Sequence, residues 1–271
     1  TVTLLPGTPT QLIDIRAGDI DRDGDLDLVA ADANKDEFRQ YLNDGSGNFS
    51  AGLLLVASGG IKLTGKLELA DLDGDADLDY VLTARIGGSR YTAVFPGNGA
   101  GSILTGLAIV TGTDPQALAV GRINGDAFLD VVSIDEGTSN YFAFDTGSPI
   151  LSSGPASAST AGVSSFTSPR SATLVDLDGD GADDLVIAHT AGEGVVAHIS
   201  SGALPFPASL AIDLPAGAAA DLVVDGDFDG DGDADLVLAS STVPSQSLYY
   251  LAGLSVPSLS PFTNGNTIRT V

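Results

Sequence analysis

Short apolar stretches alternate along the chain with clusters of aspartate and glycine. Directly after each acidic cluster comes a stretch rich in β-branched and other apolar residues: Leu26–Ala30, Tyr80–Thr83, Val131–Ser133, Leu185–Ala188 and Leu236–Ala239. Flanking Gly and Asp residues keep these stretches short, which is typical of buried strands rather than of helices. The pattern therefore predicts one strand after each acidic cluster.

Three more strands are predicted around each cluster. One follows about ten residues later, at Phe38–Leu42, Tyr91–Phe95, Tyr141–Phe144, Val195–Ile199 and Leu248–Leu251. It generally ends in a Gly- or Asn-rich turn. A further strand comes after that turn in Leu53–Val56, Leu107–Val110 and Leu210–Leu214, and another precedes the cluster in Leu12–Ile15, Leu67–Ala70 and Ala172–Val175. Because no segment has the periodicity of an amphipathic helix, the chain is predicted to be all-β.

The acidic clusters recur at a nearly constant period. When Asp19, Asp71, Arg122, Asp176 and Asp227 are taken as equivalent first positions, the steps are 52, 51, 54 and 51 residues. A period of this size indicates a repeat architecture in which each unit needs its neighbours to bury its core. Four antiparallel strands per repeat are the blade of a β-propeller. We therefore predict that residues 1–271 form a single β-propeller domain of five four-stranded antiparallel blades, each about 52 residues long.

Two further strand-like segments bear on how the ring closes. Val2–Leu5 precedes the first repeat and Asn266–Val271 ends the last one, and both resemble the outermost strand of a blade. We expect a closed five-bladed ring with one of them as a supplementary edge strand, because a propeller that lacks blades exposes the apolar faces of its terminal blades. The alternative is that the chain is part of a longer propeller, for example one of seven blades.

Composition narrows the class of partner. The chain has 271 residues with 11 Lys and Arg against 36 Asp and Glu, so its formal charge is −25. This charge argues against nucleic-acid binding, and no apolar run is long enough for membrane insertion. The absence of cysteine excludes disulfides and thiolate metal sites, and two histidines are too few for a His-rich metal centre. Small cations are the partners that this charge favours.

The acidic clusters themselves predict calcium sites. They hold 22 of the 36 carboxylates, and in four of them Asp occupies positions 1, 3, 5 and 9 of a tight loop. Such crowded carboxylates repel one another unless a hard dication with six to eight oxygen ligands lies among them, and Ca²⁺ is the natural occupant. Position 7 varies in side chain and is expected to contribute its backbone carbonyl. The predicted metal-binding residues are Asp19, Asp21, Asp23, Asp25, Asp27, Asp71, Asp73, Asp75, Asp77, Asp79, Asp176, Asp178, Asp180, Ala182, Asp184, Asp227, Asp229, Asp231, Asp233 and Asp235.

Two other kinds of site are less suitable. Magnesium prefers fewer protein ligands and more water, which makes it a second choice. An EF-hand requires a bidentate Glu at position 12, where this chain has Ala30, Leu82, Ile187 or Leu238.

The third repeat departs from the calcium pattern. Arg122 replaces the first Asp and Asn124 replaces the second. We expect the guanidinium of Arg122 to pair with Asp126 or Asp130 in place of a metal ion. The loop at Arg122 is therefore predicted to be empty, which gives about four Ca²⁺ per chain.

At these residues the sequence resembles the FG-GAP/VCBS repeat family, the calcium-loop β-propellers of integrin α-subunit heads and of many secreted bacterial and fungal proteins. The resemblance rests on Gly226–Val237 with its three close copies and on Leu42–Phe49, and it covers essentially the whole chain. It implies a calcium-stabilised propeller in an extracellular or cell-surface setting. Members commonly have seven blades, whereas five repeats are counted here.

Catalytic constellations are weak, and we expect no enzymatic activity. Nearly all paired carboxylates are assigned to ions, and Asp36–Glu37 and Asp135–Glu136 are interpreted as solvated turn charges. His189 and His198 lie in or beside adjacent strands of the fourth blade and are interpreted as packing or edge residues. A calcium-dependent polysaccharide lyase or hydrolase is the least favoured alternative.

A binding role fits the pattern better. Tyrosines recur at nearly equivalent positions of four repeats and could stack on sugars, although packing between sheets is the favoured interpretation: Tyr41, Tyr91, Tyr141, Tyr249 and Tyr250. The leading hypothesis is a secreted or cell-surface binding and adhesion module, either lectin-like with a carbohydrate ligand or specific for an extracellular protein. The alternative is a structural subunit of an extracellular assembly or filament that self-associates through edge strands.

Overall fold

The computed structural model describes residues 5, 11–32, 34–56, 61–86, 89–104, 106–112, 114–124, 126–137, 140–145, 157–162, 168–190, 194–202, 204, 206, 208–212, 219–240, 247–251 and 269–270. Every regular element in these ranges is a β-strand, which confirms the all-β prediction. Accordingly, none of the described residues belongs to a helix that could cross a bilayer.

In the described ranges, twenty strands form five sheets of four strands each. The sheets contain, in chain order, β1 (Leu12–Gly18), β2 (Asp27–Asp32), β3 (Glu37–Asn43) and β4 (Phe49–Val56); β5 (Ile61–Ala70), β6 (Asp79–Ile86), β7 (Ser89–Phe95) and β8 (Leu107–Val110); β9 (Pro115–Gly121), β10 (Asp130–Asp135), β11 (Asn140–Asp145) and β12 (Ser157–Gly162); β13 (Pro169–Val175), β14 (Asp184–His189), β15 (Val195–Ile199) and β16 (Ala208–Ile212); and β17 (Leu222–Gly226), β18 (Asp235–Ser240), β19 (Ser247–Leu251) and β20 (Arg269–Thr270). We number the sheets 1 to 5 in this order.

Each sheet is an antiparallel meander whose strands follow chain order. The register is the same at the start of every sheet: the last residue of the first strand lies opposite the first residue of the second, as in Gly18 opposite Asp27 and Val175 opposite Asp184. This repetition is the structural counterpart of the sequence period and makes the fold β-propeller-like.

Most of the predicted strands are confirmed, with small changes at their ends. The strand predicted at Leu210–Leu214 is β16, which ends at Ile212, and residues 213 and 214 lie outside the described residues. Of the two extra segments, Asn266–Val271 contributes β20, which pairs with β19 as the fourth strand of sheet 5. The segment Val2–Leu5 falls outside the described residues except for Leu5.

The core is divided into four apolar clusters, each formed by two successive sheets. Sheets 1 and 2 share a cluster around Phe38 and Leu67, and sheets 2 and 3 share one around Val81 and Phe144. The cluster of sheets 3 and 4 and the cluster of sheets 4 and 5 are similar in character. The sheets therefore pack face to face in chain order, while closure of the five sheets into a ring stays a prediction.

Candidate functional site

Each acidic cluster forms the loop between the first and second strands of its sheet. Loop position 1 directly follows the first strand, and position 9 is the first residue of the second strand. The side chains at position 9 are at most 1% exposed. In all five loops the position 9 carboxylate accepts the backbone N–H of position 2: Ile20 to Asp27 (3.1 Å), Leu72 to Asp79 (2.8 Å), Ile123 to Asp130 (3.1 Å), Leu177 to Asp184 (3.0 Å) and Phe228 to Asp235 (2.8 Å).

The position 1 carboxylate holds the turn of the loop. Asp176 accepts the backbone N–H of Gly179 at 2.7 Å and of Gly181 at 3.0 Å, and Asp71 and Asp227 accept equivalent bonds. The two glycines have φ of +76° and +90°, a region that disfavours residues with a Cβ atom. The glycines in these loops therefore permit a backbone that wraps around its own first carboxylate.

In four loops the structure brings three carboxylates together. Oxygen atoms of positions 1, 3 and 9 lie within 4.8 Å of one another in each of these groups: Asp19, Asp21 and Asp27; Asp71, Asp73 and Asp79; Asp176, Asp178 and Asp184; and Asp227, Asp229 and Asp235. We call them the carboxylate triads. Positions 1, 3 and 9 of the predicted ligand set thus converge on four separate points.

Positions 5 and 7 are not part of the triads. The position 5 carboxylates accept the backbone N–H of position 7: Asp25 to Asp23 (3.0 Å), Asp77 to Asp75 (2.8 Å), Ala182 to Asp180 (2.9 Å) and Asp233 to Asp231 (2.9 Å). At position 7 the side chain of Asp77 forms an ion pair with Arg22 Nε of the neighbouring loop at 2.5 Å. These side-chain contacts are compatible with the prediction that position 7 binds a metal ion through its backbone carbonyl.

The electrostatics of the triads disfavour ionised carboxylates that have no cation among them. Burial raises the pKa of Asp79 to about 6 and that of Asp184 to about 7. Hydrogen bonds from backbone amides act in the opposite direction and lower both pKa values, whereas neighbouring carboxylates raise them further. Burial and neighbouring carboxylates also raise the pKa values of Asp21, Asp73 and Asp178. In the charged state these three triads therefore contain charge repulsion that a bound cation would relieve.

The donor set fits a hard divalent cation. The triads contain only carboxylate oxygens, and Asp21 Oδ1 is buried without a hydrogen-bond partner among the described residues. An oxygen in that state is expensive unless a donor or a cation reaches it. Oxygen-only coordination selects hard cations such as Ca²⁺ and Mg²⁺ over transition metals.

The third loop keeps the fold of the others but has a different side-chain set. Asn124 Oδ1 accepts the backbone N–H of Asp126 at 3.0 Å, and Asp126 accepts that of Phe128 at 2.8 Å. The predicted pairing of Arg122 with Asp126 or Asp130 stays a prediction. The backbone N–H of Arg122 binds the carboxylate of Asp183 in sheet 4 at 2.6 Å. Burial raises the pKa of Asp183, and the charge of Arg122 opposes that rise. Arg122 is thus joined to the next sheet.

Loop position 2 joins the first and third loops to the following sheet. The carbonyl of Ile20 accepts the N–H of Gly101 in sheet 2 at 3.1 Å, and that of Ile123 accepts the hydroxyl of Ser200 in sheet 4 at 2.7 Å. The side chains of both isoleucines are at most 4% exposed and belong to the clusters shared with that next sheet. A cation in a loop would therefore be coupled to the packing between sheets.

A separate cavity of about 360 Å³ is bordered by the first strands of all five sheets. Its charged residues are Asp14, Arg16, Lys66, Glu68 and Asp225. Arg16 forms ion pairs with Asp14 and Glu68, each at 2.6 Å, and Thr173 donates a hydrogen bond to Asp225. Burial alone would lower the pKa of Arg16, but its two carboxylate partners raise it. We call this the central cavity.

Little in the amino-acid sequence indicates the central cavity. Its polar residues are separated along the chain and come together only because β1, β5, β9, β13 and β17 surround one space. The available signal is the presence of charges in strands that are otherwise apolar, as in Asp14–Arg16 and Lys66–Glu68.

The structure accounts for several other candidate residues as packing residues. Tyr41 and Tyr141 are at most 2% exposed, and Tyr141 packs on Phe206 with a ring distance of 5.3 Å, so neither presents a sugar-stacking surface. Tyr250 donates to Asp235 at 2.9 Å, and the side chain of Tyr249 lies outside the described residues. His189 and His198 lie on the adjacent strands β14 and β15 and are at most 3% exposed.

One carboxylate of each pair outside the loops differs from the prediction of solvated turn charges, whereas Asp36 and Glu136 are partly exposed turn residues. Asp135 is fully buried at the end of β10 and accepts the N–H of Asp114 at 2.5 Å, and Glu37 is only 7% exposed. Both carboxylates lie at strand ends, where they have partners that make burial favourable. Asp135 accepts an amide of the adjacent turn, and Glu37 forms ion pairs with Lys35 and Arg39.

Comparison with known proteins supports the repeat and the fold. The sequence profile of the FG-GAP-like repeat matches residues 19–82, 122–187 and 176–238. A lectin from Agrocybe aegerita that recognises non-reducing terminal N-acetylglucosamine is similar in structure, with a TM-score of 0.58 and 17% identity. That alignment covers 94% of this chain and 65% of the lectin, so the chain spans less than two thirds of the lectin's length.

A protein of unknown function from Desulfotomaculum acetoxidans DSM 771 is also similar in structure, with a TM-score of 0.53 and 10% identity. The alignment covers 96% of this chain and 68% of that protein. No curated protein sequence matches the chain. At these identities the two structures support the fold and nothing more specific.

Proposed function

Because the chain belongs to the FG-GAP-like repeat family, we propose that it is a calcium-stabilised binding module of a secreted or cell-surface protein. The observation that carries the proposal is the convergence of three carboxylates in each of four loops. Calcium is the favoured ion because it accepts six to eight oxygens in flexible geometry, whereas Mg²⁺ demands an octahedron and keeps several waters. An extracellular setting supplies calcium at the concentration that weak sites need.

The role of the ions is structural. Each triad lies at the junction of the first two strands of its sheet, and the loop of the Asp19 triad contacts the next sheet through Ile20 at position 2. Burial, together with charge repulsion, raises the carboxylate pKa values, and a bound Ca²⁺ offsets both effects and so stabilises the loop and the packing beside it. We propose no enzymatic activity, since the carboxylates of the triads serve as metal ligands and not as proton carriers.

The proposed ligand is a carbohydrate, and the proposed site is the central cavity. The similarity of the fold to a sugar-binding lectin supports this ligand class. The cavity of about 360 Å³ falls within the usual size range of small-molecule sites and offers both donors and acceptors at Arg16, Lys66, Thr173 and Glu68. Such groups can satisfy the hydroxyls of a sugar ring.

A glycan array tests the ligand class. We expect specific glycan binding in calcium and a loss of binding in chelator, because the sheets that border the cavity depend on the loops for their arrangement. Lys66→Ala should weaken glycan binding, whereas Lys35→Ala, outside the cavity and paired with Glu37, should not. An array without binding, together with binding to an extracellular protein, would replace the carbohydrate by a protein ligand.

A further inference from the structure

The first acidic loop carries a long side chain at a position where the other loops have none. Arg22 stands at loop position 4, and the residue at this position of the other four loops is glycine: Gly74, Gly125, Gly179 and Gly230. Because glycine has no side chain, position 4 of those loops cannot reach a neighbouring loop through one. Arg22 therefore gives the first loop a contact that the repeat itself does not provide.

The backbone at position 4 favours glycine. Arg22 has a φ of +62°, and the described glycines at this position have similar values of +76° to +80°: Gly74, Gly179 and Gly230. A residue with a Cβ atom is unfavourable in this left-handed region and persists there only where surrounding contacts hold it. The side-chain contacts of Arg22 therefore offset a backbone cost that glycine would avoid.

The guanidinium of Arg22 reaches two groups of the second loop. Its Nε forms an ion pair with Asp77 Oδ1 at 2.5 Å, and its Nη2 donates to the carbonyl oxygen of Asp75, also at 2.5 Å. Asp77 is only 8% exposed. Gly99, in the segment after β7, lies against both partners, since a Cβ atom there would be 2.1 Å from Asp77 Oδ1 and 3.0 Å from Arg22 Cδ. The contact is thus partly shielded from water, which makes it stronger than a fully exposed ion pair.

In the first loop, Arg22 lies between residues of the proposed calcium site. Asp21, directly before it, belongs to the carboxylate triad. Asp23, directly after it, donates its backbone N–H to the triad member Asp19 at 3.2 Å. An ion bound by Asp19 and Asp21 would therefore restrict the backbone on both sides of Arg22.

In the second loop, the groups that Arg22 contacts adjoin the hydrogen bonds that hold the second triad. The backbone N–H of Asp75 donates to the triad member Asp73 at 3.2 Å, and that of Ala76 donates to the triad member Asp71 at 2.9 Å. Ala76 itself has a φ of +68°, at a loop position where the first, fourth and fifth loops have glycine: Gly24, Gly181 and Gly232. Arg22 therefore holds a strained segment of the second loop on which the arrangement of Asp71 and Asp73 depends.

We propose that Arg22 couples the calcium sites of the first and second loops, so that an ion in either loop raises the affinity of the other. This inference rests on the calcium sites proposed above. An ion that orders the first loop places Arg22 where it holds the second loop, and the second site then loses less conformational freedom when it binds its own ion. By thermodynamic linkage the effect is reciprocal. The fourth and fifth loops have glycine at position 4, so this coupling is not expected between their sites.

The amides of the position 4 glycines report on the sites separately. Each donates to the position 1 carboxylate of its own loop at 2.7 to 2.8 Å, so bound calcium should shift its NMR signal: Gly74, Gly179 and Gly230. Asp21→Asn removes one ligand of the first site. In the presence of Arg22, this change should raise the calcium concentration that half-saturates the Gly74 signal at least about fivefold, and should leave the other two signals unchanged. In an Arg22→Gly chain, Asp21→Asn should leave all three unchanged.

Two further variants serve as controls. Arg22→Gly introduces the residue that the other loops have, so the loop is expected to fold. Arg22→Lys keeps the charge, but one ammonium group cannot reproduce the two-point contact with Asp77 and the Asp75 carbonyl, so this chain should lose most of the fivefold effect. Asp178→Asn removes a ligand of the fourth site and should not change the Gly74 titration.

Three results would overturn the coupling. One is a Gly74 titration that Asp21→Asn does not change although Arg22 is present. Another is an equal change in the Arg22→Gly chain, and the third is an undiminished effect in the Arg22→Lys chain, which would mean that charge alone is responsible. If none of the three glycine signals responds to calcium, the proposed calcium sites are refuted as well, so the two failures can be told apart.

Discussion

At the scale of single residues, the aspartate at loop position 9 combines two functions. It accepts the backbone N–H of position 2 in all five loops, and in four of them it also belongs to a carboxylate triad. An asparagine at this position keeps an acceptor for the amide but removes the charge. Replacement by asparagine therefore separates the metal role from the structural role.

Asp184→Asn should lower the number of bound Ca²⁺ ions from four to three. The matched control is Asp130→Asn at the same position of the third loop, where Asn124 stands in place of an aspartate and no triad forms among the described residues. Titration calorimetry measures both stoichiometries. Loss of an ion from the Asp130→Asn chain would mean that the third loop also binds metal.

His198 gives the folded chain a defined dependence on pH. Burial, together with the nearby His189, lowers the pKa of His198 from 6.5 to about 4, so the unfolded chain binds the proton more readily. The stability that neutral His198 contributes is complete above pH 6.5 and is lost as the pH falls toward 4. Relative to His198→Leu, the wild type should lose about 2 kcal/mol of unfolding free energy between pH 6.5 and about pH 5. Urea unfolding of both chains in excess calcium measures this difference, and parallel pH curves would contradict it.

At the scale of elements, the loops should make the calcium-free chain respond to pH in the opposite direction. The pKa of Asp184 is raised to about 7, so its contribution is complete below the unfolded value of 3.8 and is lost as the pH rises through 7. In chelator, the melting temperature of the His198→Leu chain should therefore be lower at pH 7 than at pH 5. Added calcium should remove that loss, because Ca²⁺ binds the ionised carboxylates. A melting temperature in chelator that rises with pH would refute this account of the loops.

Gly97 lies close to the backbone of Leu78, directly before β6, and this contact leads to a second prediction about elements. A Cβ atom at Gly97 would lie 2.2 Å from the carbonyl oxygen of Leu78, and the Gly97 N–H binds Asp79 at 2.9 Å. Gly97→Ala should therefore cost more than about 2 kcal/mol of unfolding free energy, since a backbone atom would have to move. Gly47→Ala, where only the positive φ of +79° is unfavourable, should cost about 1 kcal/mol. Equal costs in chemical unfolding would exclude the steric explanation.

At the scale of the whole molecule, the repeat made most of the fold predictable. The recurring Asp loops fix the register at which the second strand begins, and the apolar stretches after them are the buried central strands of the five sheets. Strand β12 could not be predicted, because Ser157–Gly162 contains only Ser, Ala, Thr and Gly and has no apolar alternation. It forms a strand because β11 offers it a partner along its whole length.

The candidate sites were predictable to different degrees. Local spacing sufficed for the triads, since positions 1, 3 and 9 of one loop need no other part of the chain. The contact of Arg122 with Asp183 of the next sheet could not be predicted in this way, because it depends on how sheets 3 and 4 pack. The central cavity also depends on packing between repeats, which no single repeat encodes.

The most direct test of the calcium account is the number of ions bound to the intact chain. Native mass spectrometry of the wild type in excess calcium should give a mass increase of four Ca²⁺ ions, one for each carboxylate triad. Those ions should be lost in chelator with a fall in melting temperature. A chain that carries no calcium, and whose melting temperature is the same with and without chelator, would contradict the account.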